Sequence, residues 1–426
     1  MSNPCIAFYG DDFTGSVDAL LQFTRHGLRG RLFVGLPAAG ELAAAAEECD
    51  VVGVAGIARS LAPGELAAEL SPVLAAFSHL SPRLIQYKAC STADSSPSVG
   101  SLGRVIELAR EALGERPVPM LFAQPDFGRF TVFGHHFAAE GGIVYRLDRQ
   151  PTMSTHPSTP MHESDLALHL AQQTELPITH VPFTEYSSAS DVMRKILDSG
   201  GAAVVLDAFA DAQLPLLGEA ILALPEPVFA LGSGGLSQGL AEALVPADVR
   251  PAGVNQAVAK PGPTLAVSGS RSAQTQRQLA AAAASGWHVM PLPVGDPASI
   301  PDAAAQTISL LSEGRSVALS SHEAQLDGDA AGGTLRAIAE SAAQIVSAAA
   351  DAATTRRVIV CGGDTSSRVT GLLGIRSLSI AANPWGNVVL LSVQEPGSAL
   401  DGIELLLKGG QVGDVDLLEK VRLLGS

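Results

Sequence analysis

Two carboxylates in succession, Asp11 and Asp12, run into Phe13-Thr14-Gly15-Ser16 directly after the apolar stretch Ile6–Tyr9. An ionised carboxylate accepts hydrogen bonds from hydroxyl groups and can take the proton of one that attacks an electrophile. Helix capping accounts for a single aspartate in such a turn. An adjacent pair followed by Thr-Gly-Ser points to a ligand as well. A second group is Tyr87-Lys88-Ala89-Cys90-Ser91-Thr92-Ala93-Asp94-Ser95-Ser96-Pro97. One ammonium among so many hydroxyls suits a bound carboxylate, which makes Lys88, Ser91, Thr92 and Asp94 candidates. The competing reading is an ordinary Ser/Thr-rich loop with Lys88 in solvent. Further on, Gln124-Pro125-Asp126-Phe127-Gly128-Arg129, the pair His135-His136 and the run Arg146–Glu163 crowd basic and polar residues together. Arg129, Arg146, Arg149, His156 and Thr159 are therefore candidates for an anion clamp, although each alone reads as a surface residue.

The second half carries three glycine-containing turns, each after an apolar run. They are Ser268-Gly269-Ser270-Arg271-Ser272, Gly362-Gly363-Asp364-Thr365-Ser366, and Lys408-Gly409-Gly410-Gln411-Val412-Gly413. Small residues let the backbone approach a phosphate, and a helix N-terminus adds N–H donors and a positive dipole end. Asp364 adds a carboxylate suited to Mg²⁺ or a ribose. Tight turns also need glycine for structural reasons, so the expectation of a nucleotide pocket rests on three of them in one domain. There is no G-x-x-x-x-G-K-[ST] and no G-x-G-x-x-G, and neither H-E-x-x-H nor paired C-x-x-C occurs. Gly235-Leu236-Ser237-Gln238-Gly239 matches G-x-S-x-G, but the preceding turn at Gly232–Gly235 puts Ser237 inside the following helix.

The elements that must position these residues follow from a recurring pattern of short apolar run, small polar turn and alanine/leucine-rich helix. The runs are Ile6–Tyr9, Val51–Ala55, Leu84–Tyr87, Met120–Phe122, Ala203–Leu206, Val228–Leu231, Leu265–Val267, Ser316–Leu319, Val358–Val360 and Leu405–Leu407. Strands apolar on both faces, alternating with helices, predict an α/β protein with largely parallel sheets covered on both sides. Ligands in such folds sit beyond the carboxyl ends of the strands. Proline and glycine gather at Val249–Pro263 ahead of a fresh strand, which predicts two three-layer α/β domains, 1–250 and 264–426, joined by a linker over 251–263. Arg146–Glu163 shows no periodicity and is expected to be a structureless functional loop or linker.

Charge limits the partners. Lysine and arginine total 27 against 43 acidic residues, a net charge of −16, which repels nucleic acid and anionic lipid. Anionic ligands must then be met locally. No apolar run approaches the roughly 18 residues needed to span a bilayer, and no secretory signal is visible at the N-terminus. Four scattered cysteines match no metal-ligand spacing. A cytoplasmic enzyme is expected, with a homodimer as the base-rate expectation for oligomeric state.

Asp11-Asp12-Phe13-Thr14-Gly15-Ser16 resembles the Asp-Asp-Phe-Thr-Gly signature of the four-carbon acid sugar kinase family. So do Lys88–Pro97 and, in matching order, the turns at Ser268–Ser272, Gly362–Ser366 and Lys408–Gly410. The resemblance spans nearly the whole chain and is closer to the 3-oxo-tetronate branch, with 3-oxo-isoapionate kinases as near relatives. It implies an N-terminal acid-sugar-binding domain, a C-terminal ATP-binding domain and an active site in the interdomain cleft. It also implies phosphorylation of a terminal hydroxyl of a small acid sugar. On this reading Asp12 or Asp11 is the base, with Asp12 preferred, while Lys88, Ser91, Thr92 and Asp94, helped by Arg129 or Arg149, bind the substrate. Ser268, Gly269, Ser270, Gly362, Gly363, Asp364, Thr365, Lys408, Gly409 and Gly410 hold ATP, with Mg²⁺ bridging its phosphates. The family commonly has Lys-Ser-Gly-Asn-Phe-Gly where this chain has Lys408-Gly409-Gly410-Gln411-Val412-Gly413, which removes a hydroxyl and replaces the asparagine. The rival readings are a serine hydrolase using Ser237 and a non-catalytic sugar-acid-binding protein.

Overall fold

A computed structural model describes residues 5–245, 258–321, 331–386 and 388–425, with the side chains of residues 331, 332 and 364 outside the described set. Residues 251–257 of the expected linker also fall outside it. The chain divides into two compact units, Met1–Ala252 and Gly253–Ser426.

The first unit contains β1 (Ile6–Gly10), β2 (Gly30–Val34), β3 (Val51–Ala55), β4 (Leu84–Lys88), β5 (Val118–Leu121), β6 (Arg129–Val132), β7 (His135–Glu140), β8 (Ile143–Arg146), β9 (Ile178–Val181), β10 (Ala203–Leu206) and β11 (Val228–Gly232). Its main sheet has the order β2-β3-β1-β4-β11-β5-β10-β9. Every pairing in it is parallel. All five residues of β1, β3, β4 and β11 are buried, as strands covered on both faces require. From β1 the chain moves out to β2 and β3 on one side, and from β4 it builds the other side. The order thus reverses at β1–β4, where an α/β sheet opens a crevice at its carboxyl ends. The helices that cover the sheet carry the expected stripes. Phe13–Arg25 buries Ala19, Leu20 and Phe23, and Leu102–Leu113, capped by Ser101, buries Val105, Ile106 and Ala109. Both stripes follow the three-to-four-residue spacing of one helix face.

The second unit contains β12 (Thr264–Ser268), β13 (His288–Pro291), β14 (Val317–Ser320), β15 (Arg357–Cys361), β16 (Ser377–Trp385), β17 (Val388–Val393) and β18 (Glu404–Lys408). Within this unit the order is β13-β14-β12-β15-β18-β17-β16. The first five are parallel, while β17 runs antiparallel to both β18 and β16. At the amino ends of β15 and β18, buried Arg357 donates from Nε to Glu404 Oε2 at 2.7 Å and from Nη1 to the Val421 carbonyl at 2.5 Å. This pairs the guanidinium and caps the C-terminal helix Leu417–Leu423 in one step. Among the described residues no helix is long and apolar enough to cross a membrane.

One expectation is corrected. Arg146–Glu163 is not structureless: it holds the end of β8 and a short helix, Pro151–Ser154. Leu147, Met153 and Met161 pack with Ala138 into a small core of their own. Singly spaced apolar anchors fold this segment without a period to betray them. The antiparallel sheet β6-β7-β8 and the β16–β17 hairpin were likewise absent from the list of apolar runs.

Candidate active site

In the first unit Gly10, Lys88 and Gly232 lie side by side in register at the ends of β1, β4 and β11. The turns that follow therefore meet. Asp12 caps the helix Phe13–Arg25, its Oδ1 accepting the Gly15 N–H at 2.7 Å. Its Oδ2 accepts from Arg59 Nη1 at 2.7 Å. Asp11 is buried and is gripped by the same guanidinium, from Nη2 at 2.6 Å and Nε at 3.2 Å. Burial pushes the Asp11 carboxyl up to about 6, with Arg59 opposing the rise. For Arg59 itself burial works against the charge, but Asp11, Cys90 and Asp12 together outweigh it and hold the guanidinium above its ordinary value.

Lys88 is almost fully buried; its Nζ donates to the Ala89 carbonyl at 3.0 Å and lies 3.4 Å from Asp18 Oδ2. Gly15 makes the convergence possible. A Cβ there would sit 2.6 Å from Asp12 Oδ1 and 3.3 Å from Lys88 Nζ. Asp11, Asp12 and Lys88 are thus brought together, with two residues that the motif reading missed. Arg59 stands in a single turn after β3, four residues beyond its end, and Asp18 is on the helix that Asp12 caps.

The hydroxyl-rich loop is fixed from behind. Thr92 donates to Asp94 Oδ1 at 2.5 Å, and Cys90 Sγ is 3.0 Å from Thr92 Oγ1. The Ser91 carbonyl accepts from His136 Nε2 at 2.7 Å, and Thr131 Oγ1 lies 2.9 Å from His136 Nδ1. A carbonyl only accepts, so Nε2 carries the proton and the threonine hydroxyl donates to Nδ1. Burial pushes His136 down to about 4, leaving it neutral at pH 7. His169, also pushed down to about 4 by burial, meets Ser95 Oγ at 3.0 Å. Arg129 donates from Nη1 to the carbonyls of Phe127, Gly128 and Ala139, and its Nε is buried without a partner among the described residues. Burial lowers its pKa against the pull of Cys90 and Asp94.

Other candidates have partners of their own. Arg149 is 76% exposed, and its ion pair is with Asp148, which Arg146 also grips. His156 Nδ1 accepts from the Thr159 N–H and lies 2.9 Å from its hydroxyl, so these two serve each other. Ser237 is fully buried within the helix Gly234–Leu244, its hydroxyl engaged with both ends of the Gln86 amide at 2.9 and 3.1 Å. It offers no exposed nucleophile.

In the second unit Ser268, Cys361 and Lys408 stand in register at the carboxyl ends of β12, β15 and β18, so all three glycine turns meet. A Cβ on Gly269 would lie 2.2 Å from Thr365 Oγ1, and one on Gly410 would lie 2.7 Å from Ser270 Oγ. Gly362 has φ +116, a conformation that favours glycine. Helices Ala273–Ala284 and Gly363–Leu372 both begin at this edge, the first capped by Ser272. Lys408 is buried, donates to Thr275 Oγ1 at 3.1 Å and is pulled below its ordinary pKa by burial. The Asp364 side chain lies outside the described set.

Family models for a sugar-binding N-terminal domain and a nucleotide-binding C-terminal domain match residues 6–240 and 265–418. A 3-oxo-isoapionate kinase of Paraburkholderia graminis is 34% identical, covering 98% of this chain and 94% of the relative. The chain belongs to the four-carbon acid sugar kinase family. Other members it resembles are a 3-oxo-tetronate kinase of Pseudomonas fluorescens (30% identical, 99% of this chain, 97% of the relative) and a D-threonate kinase of Bordetella bronchiseptica (27%, 98% and 96%). The fold matches a crystal structure from Haemophilus influenzae with a TM-score of 0.81 at 22% identity, over 99% of this chain and 100% of that one. The Asp11–Asp12–Arg59–Lys88 cluster falls within the span of the family's sugar-binding domain, and the three glycine turns within that of its nucleotide-binding domain.

Proposed function

We propose that this kinase transfers the γ-phosphoryl group of ATP to the terminal hydroxyl of a 3-oxo acid sugar, of the 3-oxo-tetronate or 3-oxo-isoapionate type. The observation that carries the reading is the approach of the Asp12 carboxylate and the Lys88 ammonium to each other across Gly15, a base beside a carboxylate anchor. Asp12 keeps a third of its side chain exposed, whereas Asp11 is 2% exposed and enclosed by Arg59. Asp12 is therefore the base that accepts the hydroxyl proton, and Asp11 with Arg59 holds it in place. Lys88 neutralises the substrate carboxylate, and the Thr92–Asp94 pair offers hydrogen bonds to its hydroxyls.

The turns at Ser268–Ser272, Gly362–Thr365 and Lys408–Gly410 hold the nucleotide phosphates through backbone N–H groups, two helix N-termini and Lys408. Phosphoryl transfer asks chiefly for positioning and charge neutralisation. Mg²⁺, which binds mostly through phosphate oxygens and water, supplies part of that neutralisation when it enters with the nucleotide, and Asp364 is the carboxylate nearest in sequence to serve it. The enzyme is read as cytoplasmic and homodimeric, which fractionation and light scattering check.

The test is coupled ADP release with Mg-ATP across threonates, erythronates, their 3-oxo forms and 3-oxo-isoapionate, with a no-substrate control. Turnover on a 3-oxo acid supports the reading. Turnover on a threonate alone moves the substrate to the other branch, and silence from folded, nucleotide-binding protein removes the substrate class.

A further inference from the structure

At the start of the loop after β18, Gly409 and Gly410 can offer a phosphate only their backbone, because they carry no side chains. Four of its carbonyl groups, those of Gly410, Val412, Gly413 and Asp414, are held by one helix, Ala273–Ala284, and its cap, while that of Gly409 accepts from the Val412 N–H. The Gly410 carbonyl accepts from Ser272 Oγ and from Thr275 Oγ1, the latter at 2.9 Å. Gln278 Nε2 lies within hydrogen-bond distance of three successive carbonyls, Val412 at 3.0 Å, Gly413 at 3.2 Å and Asp414 at 2.8 Å. Gln274 Nε2 reaches the Gly413 carbonyl at 2.6 Å. Gln278 is fully buried, and its Oε1 has no partner among the described residues, so the side chain is held there for its donor end.

A trans peptide unit points its C=O and the following N–H in opposite directions. With the carbonyls of Gly410, Val412 and Gly413 drawn toward the helix, the N–H groups of Gln411, Gly413 and Asp414 face away from it. None of the three donates to a partner among the described residues. Successive N–H groups aimed outward form an anion-binding concavity. Gly410 is confined as well, since an added Cβ would meet Ser270 Oγ at 2.7 Å and Ser272 Cβ at 2.9 Å.

We infer that Gln278, assisted by Gln274, is a positioning residue for nucleotide phosphates: it fixes the orientation of the peptide groups in the 410–414 loop so that their N–H groups receive the anion. The inference rests on the proposed nucleotide site. It acts through the loop, so it changes nucleotide affinity and leaves acid binding alone.

The test uses the full-length enzyme as wild type, Gln278→Met, which keeps length and removes both donors, and Gln274→Met at a half-buried position that leaves the core intact. ADP binding is measured by calorimetry, KM is measured separately for ATP and for the acid, and Tm is recorded without ligand. Loss of hydrogen bonds that each contribute about 1 kcal/mol predicts nucleotide affinity and KM for ATP weakened about five- to tenfold in Gln278→Met. A smaller change in the same direction is expected in Gln274→Met, with the acid KM unchanged in both. Amide exchange should show Gln411 and Gly413 protected by ADP in wild type and less so in the variants. Wild type and both variants binding ADP equally would overturn the inference, as would KM values for ATP and acid rising together in Gln274→Met. If wild type binds no nucleotide, the functional reading itself fails and takes this inference with it.

Discussion

Replacing Arg59 by methionine removes the cation that, among the described residues, touches both Asp11 and Asp12, while keeping the bulk of the side chain. The consequence is worked from Asp11. Its carboxyl is pushed up to about 6 from an ordinary 3.8 even with the guanidinium present, which corresponds to about 3 kcal/mol of strain when it is ionised at neutral pH. Arg59 lowers that figure, so removing it raises the Asp11 pKa further, and taking one partner from a buried pair costs about 3–5 kcal/mol. Arg59 is partly exposed, which favours the lower end, about 3 kcal/mol, or a fall in Tm of about 6–12 °C for a unit of this size.

The sign of the pH dependence follows from a folded pKa raised above the unfolded one. Such a group gives stability that is fully present below about pH 4 and lost as pH rises through the folded value. In wild type that loss runs from about pH 4 and is complete near pH 6; in Arg59→Met it continues to higher pH. At pH 5 Asp11 is largely protonated in both proteins, so of the two ion pairs only that of Arg59 with Asp12 still separates them. The Tm gap between wild type and variant should therefore be widest near pH 8 and narrow toward pH 5. The assay is thermal unfolding followed by circular dichroism across that range. A gap of constant size would show that Arg59 supports the fold through packing or Asp12 and not through Asp11, and would remove the coupled-carboxylate account of the site.

Asp12→Asn should keep the helix cap, since asparagine caps as well as aspartate, and should lower kcat about 10²–10⁴-fold with ADP binding unchanged by calorimetry; undiminished turnover would take Asp12 out of the mechanism. Gly410→Ala places a methyl group 2.7 Å from Ser270 Oγ, so KM for ATP should rise while that for the acid holds, as steady-state kinetics would read. His136 and His169, each pushed down to about 4 by burial, give stability that is present above about pH 6.5 and lost as pH falls toward 4. His136→Gln and His169→Gln should each flatten the acid limb of the unfolding free energy by up to about 3 kcal/mol, measured by urea titration at pH 4, 5 and 7.

What the sequence disclosed and what it withheld divide along the range of the contacts. Fully apolar runs such as Ile6–Gly10 and Val358–Cys361 can hardly be anything but buried strands. The turns that follow them inherit a place at the sheet's carboxyl edge, so the positions of Asp12, Lys88, Gly269 and Gly362 at that edge were legible. Arg59 was not, because its importance lies in carboxylates 47 and 48 positions away, and a lone arginine in a turn carries no period. Arg149 shows the opposite case. Basic residues crowded along the chain from Arg146 to His156 were read as crowded in space, yet Arg149 turns to Asp148 on the surface. The glutamines of helix Ala273–Ala284 sharpen the same point. Gln278 looks like any polar residue of a surface helix until its amide is seen beneath three carbonyls more than 130 positions on. A glycine-rich turn announces that a backbone can approach a phosphate; only the distant side chains that hold its carbonyls decide which way its N–H groups face, and therefore whether it does.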